Sequence, residues 1–245
     1  MKTFFYTILF ALTLTFSYSF MSNKGNLLNS NLKVTNSATT LNDREIILLK
    51  HMREEEKLAR DVYQHFADKY DFFVFKNIVE SEQRHMDRML VLLNENQIPD
   101  PASTENGVFN NSDLQKLYNQ LIAQGDISLT EALKVGATIE DLDIKDLMIY
   151  KNDTSNPLLL DALDNLTCGS RNHMRAFVGQ LELKDVTYSP QFISAEVYKS
   201  IIDGNHEKCG QMGQNNTKNA NCNKTNKKAN KGNGNGNGNG SCINK

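Results

Sequence analysis

Between about residue 41 and residue 203, apolar residues recur at alternating steps of three and four with little turn punctuation, a pattern that predicts an all-α chain. Segment A is expected over about Asn42 to Lys69, with Asn42 or Asp43 as N-cap and Glu45 in the first turn. Segment B is expected over about Val74 to Asn96, halted by Pro99 and Pro101. A polar stretch then leads to a short helix, Ser112 to Gln124, closed by Gly125. Segment C runs from Ser128 to about Tyr150, and segment D from Pro157, well placed in a first helical turn, to Lys184. A last amphipathic stretch covers Pro190 to Ile202. The A–B connection is short and the B–C connection spans about thirty residues, so the expected architecture is a four-helix bundle of two antiparallel hairpins joined by a crossover, with short extra helices.

The core-facing stripe of each long segment is interrupted. In A it reads Leu49, Met52, Glu56, Ala59, Tyr63, Phe66; in B, Phe75, Ile78, Glu82, His85, Met89, Leu92. In C it reads Leu129, Leu133, Gly136, Glu140, Asp143, Leu147; in D, Leu163, Leu166, Ser170, His173, Phe177. The acids and imidazoles fall at the centre of every stripe, at one depth. An unpaired buried carboxylate costs several kcal/mol, a large share of the roughly 5–15 kcal/mol that holds a domain folded. Bound cations are one economical compensation. Mixed carboxylate and imidazole donors suit iron or manganese, and Glu82 and His85, three residues apart, project from one helical face.

Each residue also has a plainer reading. Glu-x-x-His is common on solvated faces, and Arg53-Glu54-Glu55-Glu56-Lys57 has the look of a solvent face, where Glu54 and Glu55 are expected to stay. Glu140 and Asp143 lie among further charges, a lone His173 is more often structural than a ligand, and Tyr63 fits the core as well as a hydrogen-bonding role near a metal. Four such interruptions on four stripes at one level argue jointly for ligands: Glu56, Glu82, His85, Glu140, Asp143 and His173. His51, His65 and His206 lie off the stripes.

The chain ends add a different kind of information. Lys2, a 13-residue mostly apolar run from Phe4 to Phe16, and Ser17-Tyr18-Ser19 read as a secretory signal over residues 1–19, followed by a linker over 20–40; an uncleaved anchor is the other reading. No apolar run reaches the roughly 18 residues that span a bilayer. A secreted, periplasmic or cell-envelope location is therefore expected. The formal net charge of −2 conceals an asymmetry, because residues 204–245 carry seven Lys against one Glu. That tail, rich in Asn and Gly, lacks apolar surface to bury and is expected to be disordered, either as a plain solvated extension or as a contact for anionic envelope surfaces. Cys168, Cys209, Cys222 and Cys242 have spacings too long for a zinc ribbon; in an oxidising compartment some are expected to pair, with no connectivity specified. The folded region is acidic, so no nucleic-acid partner is expected.

Met52 to Tyr63 (MREEEKLARDVY), Asn77 to Met86 (NIVESEQRHM), Ala132 to Leu147 (ALKVGATIEDLDIKDL) and Gly169 to Phe177 (GSRNHMRAF) together resemble the ferritin-like di-iron superfamily and, within it, the DUF2202 family, over about Leu41 to Glu182. The superfamily scheme is one Glu from each of two helices and Glu-x-x-His from each of the other two. By that resemblance Glu56, Glu82, His85, Glu140 and His173 occupy ligand positions, and Asp143 looks like the extra carboxylate of the rubrerythrin branch. The departure is Ser170, which stands where an acid is expected. The resemblance implies two iron ions (or manganese) and an oxidoreductase acting on peroxide, dioxygen or ferrous iron, with Tyr63 as a hydrogen-bond donor behind the metal. No Cys-x-x-Cys pairs are present, so a reductase would need an external electron donor. A metal-sequestering envelope protein and a metal-free structural bundle are the alternatives, and homodimerisation stays open.

Overall fold

The structure, a computed structural model, describes residues 41–210. The signal and linker segments, Cys222, Cys242 and the tail beyond residue 210 lie outside the described residues. Within them are six helices and no strands: α1 (Asp43–Tyr70), α2 (Phe73–Glu95), α3 (Ser112–Gly125), α4 (Leu129–Asp153), α5 (Pro157–Glu182) and α6 (Ala195–Ile202). No described helix is long and apolar enough to cross a membrane.

Local chemistry sets most of the helix ends. Asn42 accepts from the backbone N–H groups of Arg44 and Glu45 while the Glu45 carboxylate accepts from Asn42 N, a reciprocal capping box. α2 ends before the prolines act: Gln97 takes a left-handed φ of 56°, Gln97 N bonds Asn94 O at 3.0 Å and Ile98 N bonds Leu93 O at 2.9 Å, a Schellman termination. Gly125 does not serve as a left-handed cap; it is the last residue of α3, and a Cβ there would lie 2.0 Å from the Phe66 ring. The last helix begins at Ala195 rather than Pro190 because the N–H groups of Gln191, Phe192 and Ile193 turn instead to the fully buried carboxylate of Asp141.

α1 packs on α2, α4 packs on α5, and the two pairs meet through α1 with α4 and α2 with α5; α3 lies across α1 and α4, and α6 lies on α5. The apolar core is in two parts. One cluster contains Val62, Tyr63 and Phe66 of α1, Phe75 and Ile78 of α2, Leu133 of α4 and Phe177 of α5. The other contains Leu49 and Met52 of α1, Met89 and Leu92 of α2, Leu147 of α4 and Leu163 and Leu166 of α5. On α1, α2 and α5 the interrupting acids and imidazoles lie in sequence between the members of the two clusters, and on α4 they lie between Leu133 of the first and Leu147 of the second.

Two expectations about the surface are corrected. Arg53, Glu54 and Lys57 are buried rather than solvated. Lys57 Nζ donates to Asp61 Oδ2 (2.5 Å) and Glu105 O (2.9 Å) and stands 4.4 Å from the centre of the Phe109 ring. The second correction concerns the start of the tail, because residues 204–210 are held against α5. Arg171 and Arg175 both pair with Glu207, and Cys168 forms a disulfide with Cys209. His51 and His65, off the stripes, pair with Glu55 and Asp126 respectively.

Candidate metal centre

Each of the long helices delivers its polar residue into the interval between the two apolar clusters, and five of the six expected ligands converge there. Glu56, Glu82, His85, Glu140 and His173 are each no more than 7% exposed. They form two groupings, Glu56–Glu82–His85 and Glu82–Glu140–His173, whose ligand atoms all lie within 4.8 Å of one another. Glu82 belongs to both. Its Oε2 is 2.8 Å from His85 Nδ1 and its Oε1 is 2.7 Å from His173 Nδ1. Glu56 Oε2 lies 3.1 Å from His85 Nδ1 and Glu140 Oε2 lies 3.6 Å from His173 Nδ1, so each imidazole faces the shared acid and one further acid.

His85 Nδ1 is hydrogen-bonded within the cluster, to Glu56 and Glu82, but other buried atoms there are left unsatisfied. Glu56 Oε1, Glu82 Oε1 and His173 Nδ1 are buried without a hydrogen-bond partner, even though the last two are in close contact. Orphaned buried polar atoms cost about 1–3 kcal/mol each, more when charged, and native proteins rarely tolerate several together. Oxygen and imidazole nitrogen lone pairs crowded at this spacing fit divalent cations, so the residues present could hold a metal ion in each grouping.

The sixth expected ligand is placed differently. Asp143 is outside both groupings and only partly buried; it accepts a hydrogen bond from Ser170 Oγ, which also lies 2.9 Å from Leu166 O. The α5 position that lacks an acid thus carries a hydroxyl that holds a carboxylate supplied by α4. Tyr63 is both core and polar partner. Its ring packs 5.1 Å from that of Phe177, while its hydroxyl donates to Glu140 Oε1 at 2.5 Å.

Electrostatics follow from burial and from this pairing. Burial raises Glu56 to about 8 against the opposing pull of His85, and raises Glu140 against that of His173. Burial works the same way on Glu82, but its two imidazole neighbours outweigh it and hold this carboxyl well below its ordinary value. Burial favours the neutral form of His173, yet Glu82 and Glu140 raise it to about 9, and His85 is likewise raised by Glu82 and Glu56. Burial, reinforced by Glu140, holds the Tyr63 proton far above neutrality. At neutral pH without metal both imidazoles are held protonated by their acid neighbours, and a cation would displace those protons, so cation affinity is expected to rise with pH, at the His173 grouping until the value of about 9 for that imidazole is passed.

Sequence reasoning missed Gly169. A Cβ at this position would lie 2.6 Å from His85 Cε1 and Nε2, so the bare backbone of α5 is what lets the imidazole of α2 seat itself. The available signal was a glycine in the middle of a strongly helical segment. Gly169→Ala is expected to push His85 off its partners and weaken metal affinity by about 10–100-fold, the cost typical of lost ligand orientation. Metal titration of the variant measures this, and wild-type affinity would show that His85 needs no such seat.

A small cavity of about 20 Å³ reaches the centre between α1 and α4 beneath α3, with Glu56, Glu82, Glu140 and Asp143 among its walls.

Comparison with known proteins places the chain in a family. The profile of the family described as "Uncharacterized protein domain (DUF2202)" matches residues 44–205, which include all the residues of both groupings. The chain is similar to the uncharacterized protein MJ0754 of Methanocaldococcus jannaschii, with 51% identity over 161 residues covering 65% of this chain and 87% of that protein. It is also similar to the crystal structure of hypothetical protein MJ0754 from Methanococcus jannaschii, with a TM-score of 0.66 and 46% identity, covering 75% of this chain and 100% of that one. A matched region that contains the four long helices, all but Asp43 at the start of α1, makes this chain a member of the DUF2202 family.

Proposed function

We propose that the chain is a ferritin-like four-helix bundle that holds two metal ions, iron or alternatively manganese, and acts as an oxidoreductase on peroxide, dioxygen or ferrous iron. The observation that carries the reading is Glu82, whose two carboxylate oxygens each face a different imidazole, at 2.8 and 2.7 Å, in the interval between two apolar clusters. Glu56 and His85 would hold one ion, Glu140 and His173 the other, with Glu82 shared between them. Asp143, held by Ser170, supplies a further carboxylate beside the pair. Bound iron would supply two one-electron equivalents and Lewis acidity.

The protein's own groups have separable tasks. Tyr63 keeps its proton and fixes Glu140 through it, while the apolar clusters on either side exclude water and strengthen electrostatic interactions at the centre. Export belongs to the same proposal: it rests on the pattern of residues 1–19, and the Cys168–Cys209 disulfide suits an oxidising compartment.

Metal analysis of protein reconstituted anaerobically with ferrous ion, followed by peroxide under optical monitoring, tests the reading. About two irons per chain with an absorbance change on oxidation is the expected result. Metal without a spectral response would favour sequestration, and protein that takes up no metal would leave a self-paired polar layer and overturn the proposal.

A further inference from the structure

The cavity beneath α3 has a direction. Glu56, Glu82 and Glu140 on its floor are each 2% exposed, whereas Glu55, Asp143 and Leu117 on its walls are partly exposed and mark its mouth. α3 bridges α1 and α4 over this gap and contributes Leu114 and Leu117 to it. Glu56 and Glu82, which line its inner end, each keep a buried carboxylate oxygen without a hydrogen-bond partner, so the cavity reaches residues with capacity for a ligand. A volume of about 20 Å³ exceeds the roughly 10–15 Å³ that holds one water and leaves no room for an organic substituent.

We propose that this cavity is the passage by which a small neutral oxidant reaches the centre, and that Leu114 and Leu117 of α3 set its size limit. The inference rests on the oxidoreductase reading and narrows it: hydrogen peroxide or dioxygen passes, a bulky organic hydroperoxide does not. Polarity points the same way as size, because Leu114 and Leu117 give the passage an apolar lining that favours uncharged oxidants over anionic ones. Leu117 is partly exposed, so a larger or smaller side chain there changes the opening without excavating the core.

Two measurements on Leu117→Phe and Leu117→Ala, with circular dichroism to verify folding, decide the matter. In metal-free protein under oxygen pressure, dissolved paramagnetic dioxygen should enhance relaxation of the His85 and His173 ring protons. That enhancement is expected to fall about fivefold in L117F and to rise in L117A, as for a passage limited by this side chain. In ferrous-loaded protein, hydrogen peroxide takes one electron from each of two ferrous ions, leaving them ferric, and two protons from water, and departs as two waters; an organic hydroperoxide takes the same electrons and protons and departs as its alcohol and one water. Here L117A should speed oxidation by cumene hydroperoxide about tenfold while changing the hydrogen peroxide rate less than about twofold, a shift in selectivity rather than in chemistry. His85 and His173 relaxation indifferent to L117F, or an unchanged ratio of the two peroxide rates, would overturn the passage. If the wild type takes up no metal, the oxidoreductase reading falls by itself, and the metal-free measurement still rules on the passage.

Discussion

Replacing Glu82 with glutamine is expected to strip both metal positions at once. Gln retains the volume and much of the packing of Glu but brings no charge, and the carboxylate it removes is common to both groupings. Either ion would then be left with one carboxylate and one imidazole from its own grouping, and affinity at each should fall by more than about 100-fold, beyond the loss typical of disturbed ligand orientation. His85→Ala makes the informative contrast, because Glu82, Glu140 and His173 remain together and about one ion per chain should be retained. Elemental analysis after anaerobic reconstitution separates these outcomes. Wild-type loading of Glu82→Gln would show that the two groupings are not joined through this residue.

The second large effect is on stability and lies away from the centre. Lys57 and Asp61 side chains are each 1% exposed, and Asp61 also accepts from Arg60 and from Gly107 N, so one carboxylate fastens α1 to the connection between α2 and α3. Asp61→Ala leaves the Lys57 ammonium buried without a counter-charge, which costs about 3–5 kcal/mol. At about 2–4 °C per kcal/mol for a domain of this size, thermal unfolding should move down by roughly 6–20 °C. The double replacement Lys57→Met with Asp61→Leu should recover most of the loss, since removing both charges removes the desolvation problem. A loss below about 1 kcal/mol in the single variant would mean that water reaches Lys57.

These two sites show where sequence patterning is informative and where it is not. Glu82 and His85 were legible because an acid and an imidazole break an apolar stripe, and a stripe fixes which face of a helix is buried whatever it packs against. The same argument found Glu56, Glu140 and His173 and placed the ends of the long helices within a few residues. It could not see that Glu82 is shared, or that Asp143 turns to Ser170, because those facts depend on which neighbour stands opposite. Lys57 and Asp61 were hidden for a related reason. Charges at i and i+4 look the same on paper whether they face water or lie under a polar connection, and their burial here depends on Glu105 and Gly107, more than forty residues away in sequence. Gly169 was visible as a residue type but not as a contact, since its partner is on another helix.

The bond between Cys168 and Cys209 gives the far end of the fold a property of its own. Among the described helices α6 touches α5 alone, a slender attachment for a segment of eight residues. Because the covalent link spans a sequence separation of 41 and encloses α6, the unfolded chain keeps a closed ring there, a chain-entropy advantage for the fold between about 3 and 4.7 kcal/mol. Thiol reductants would open the ring and leave the Glu207 ion pairs, the hydrogen bond from Arg175 Nε to Ile201 O and the burial of Ile201 to retain this end of the fold.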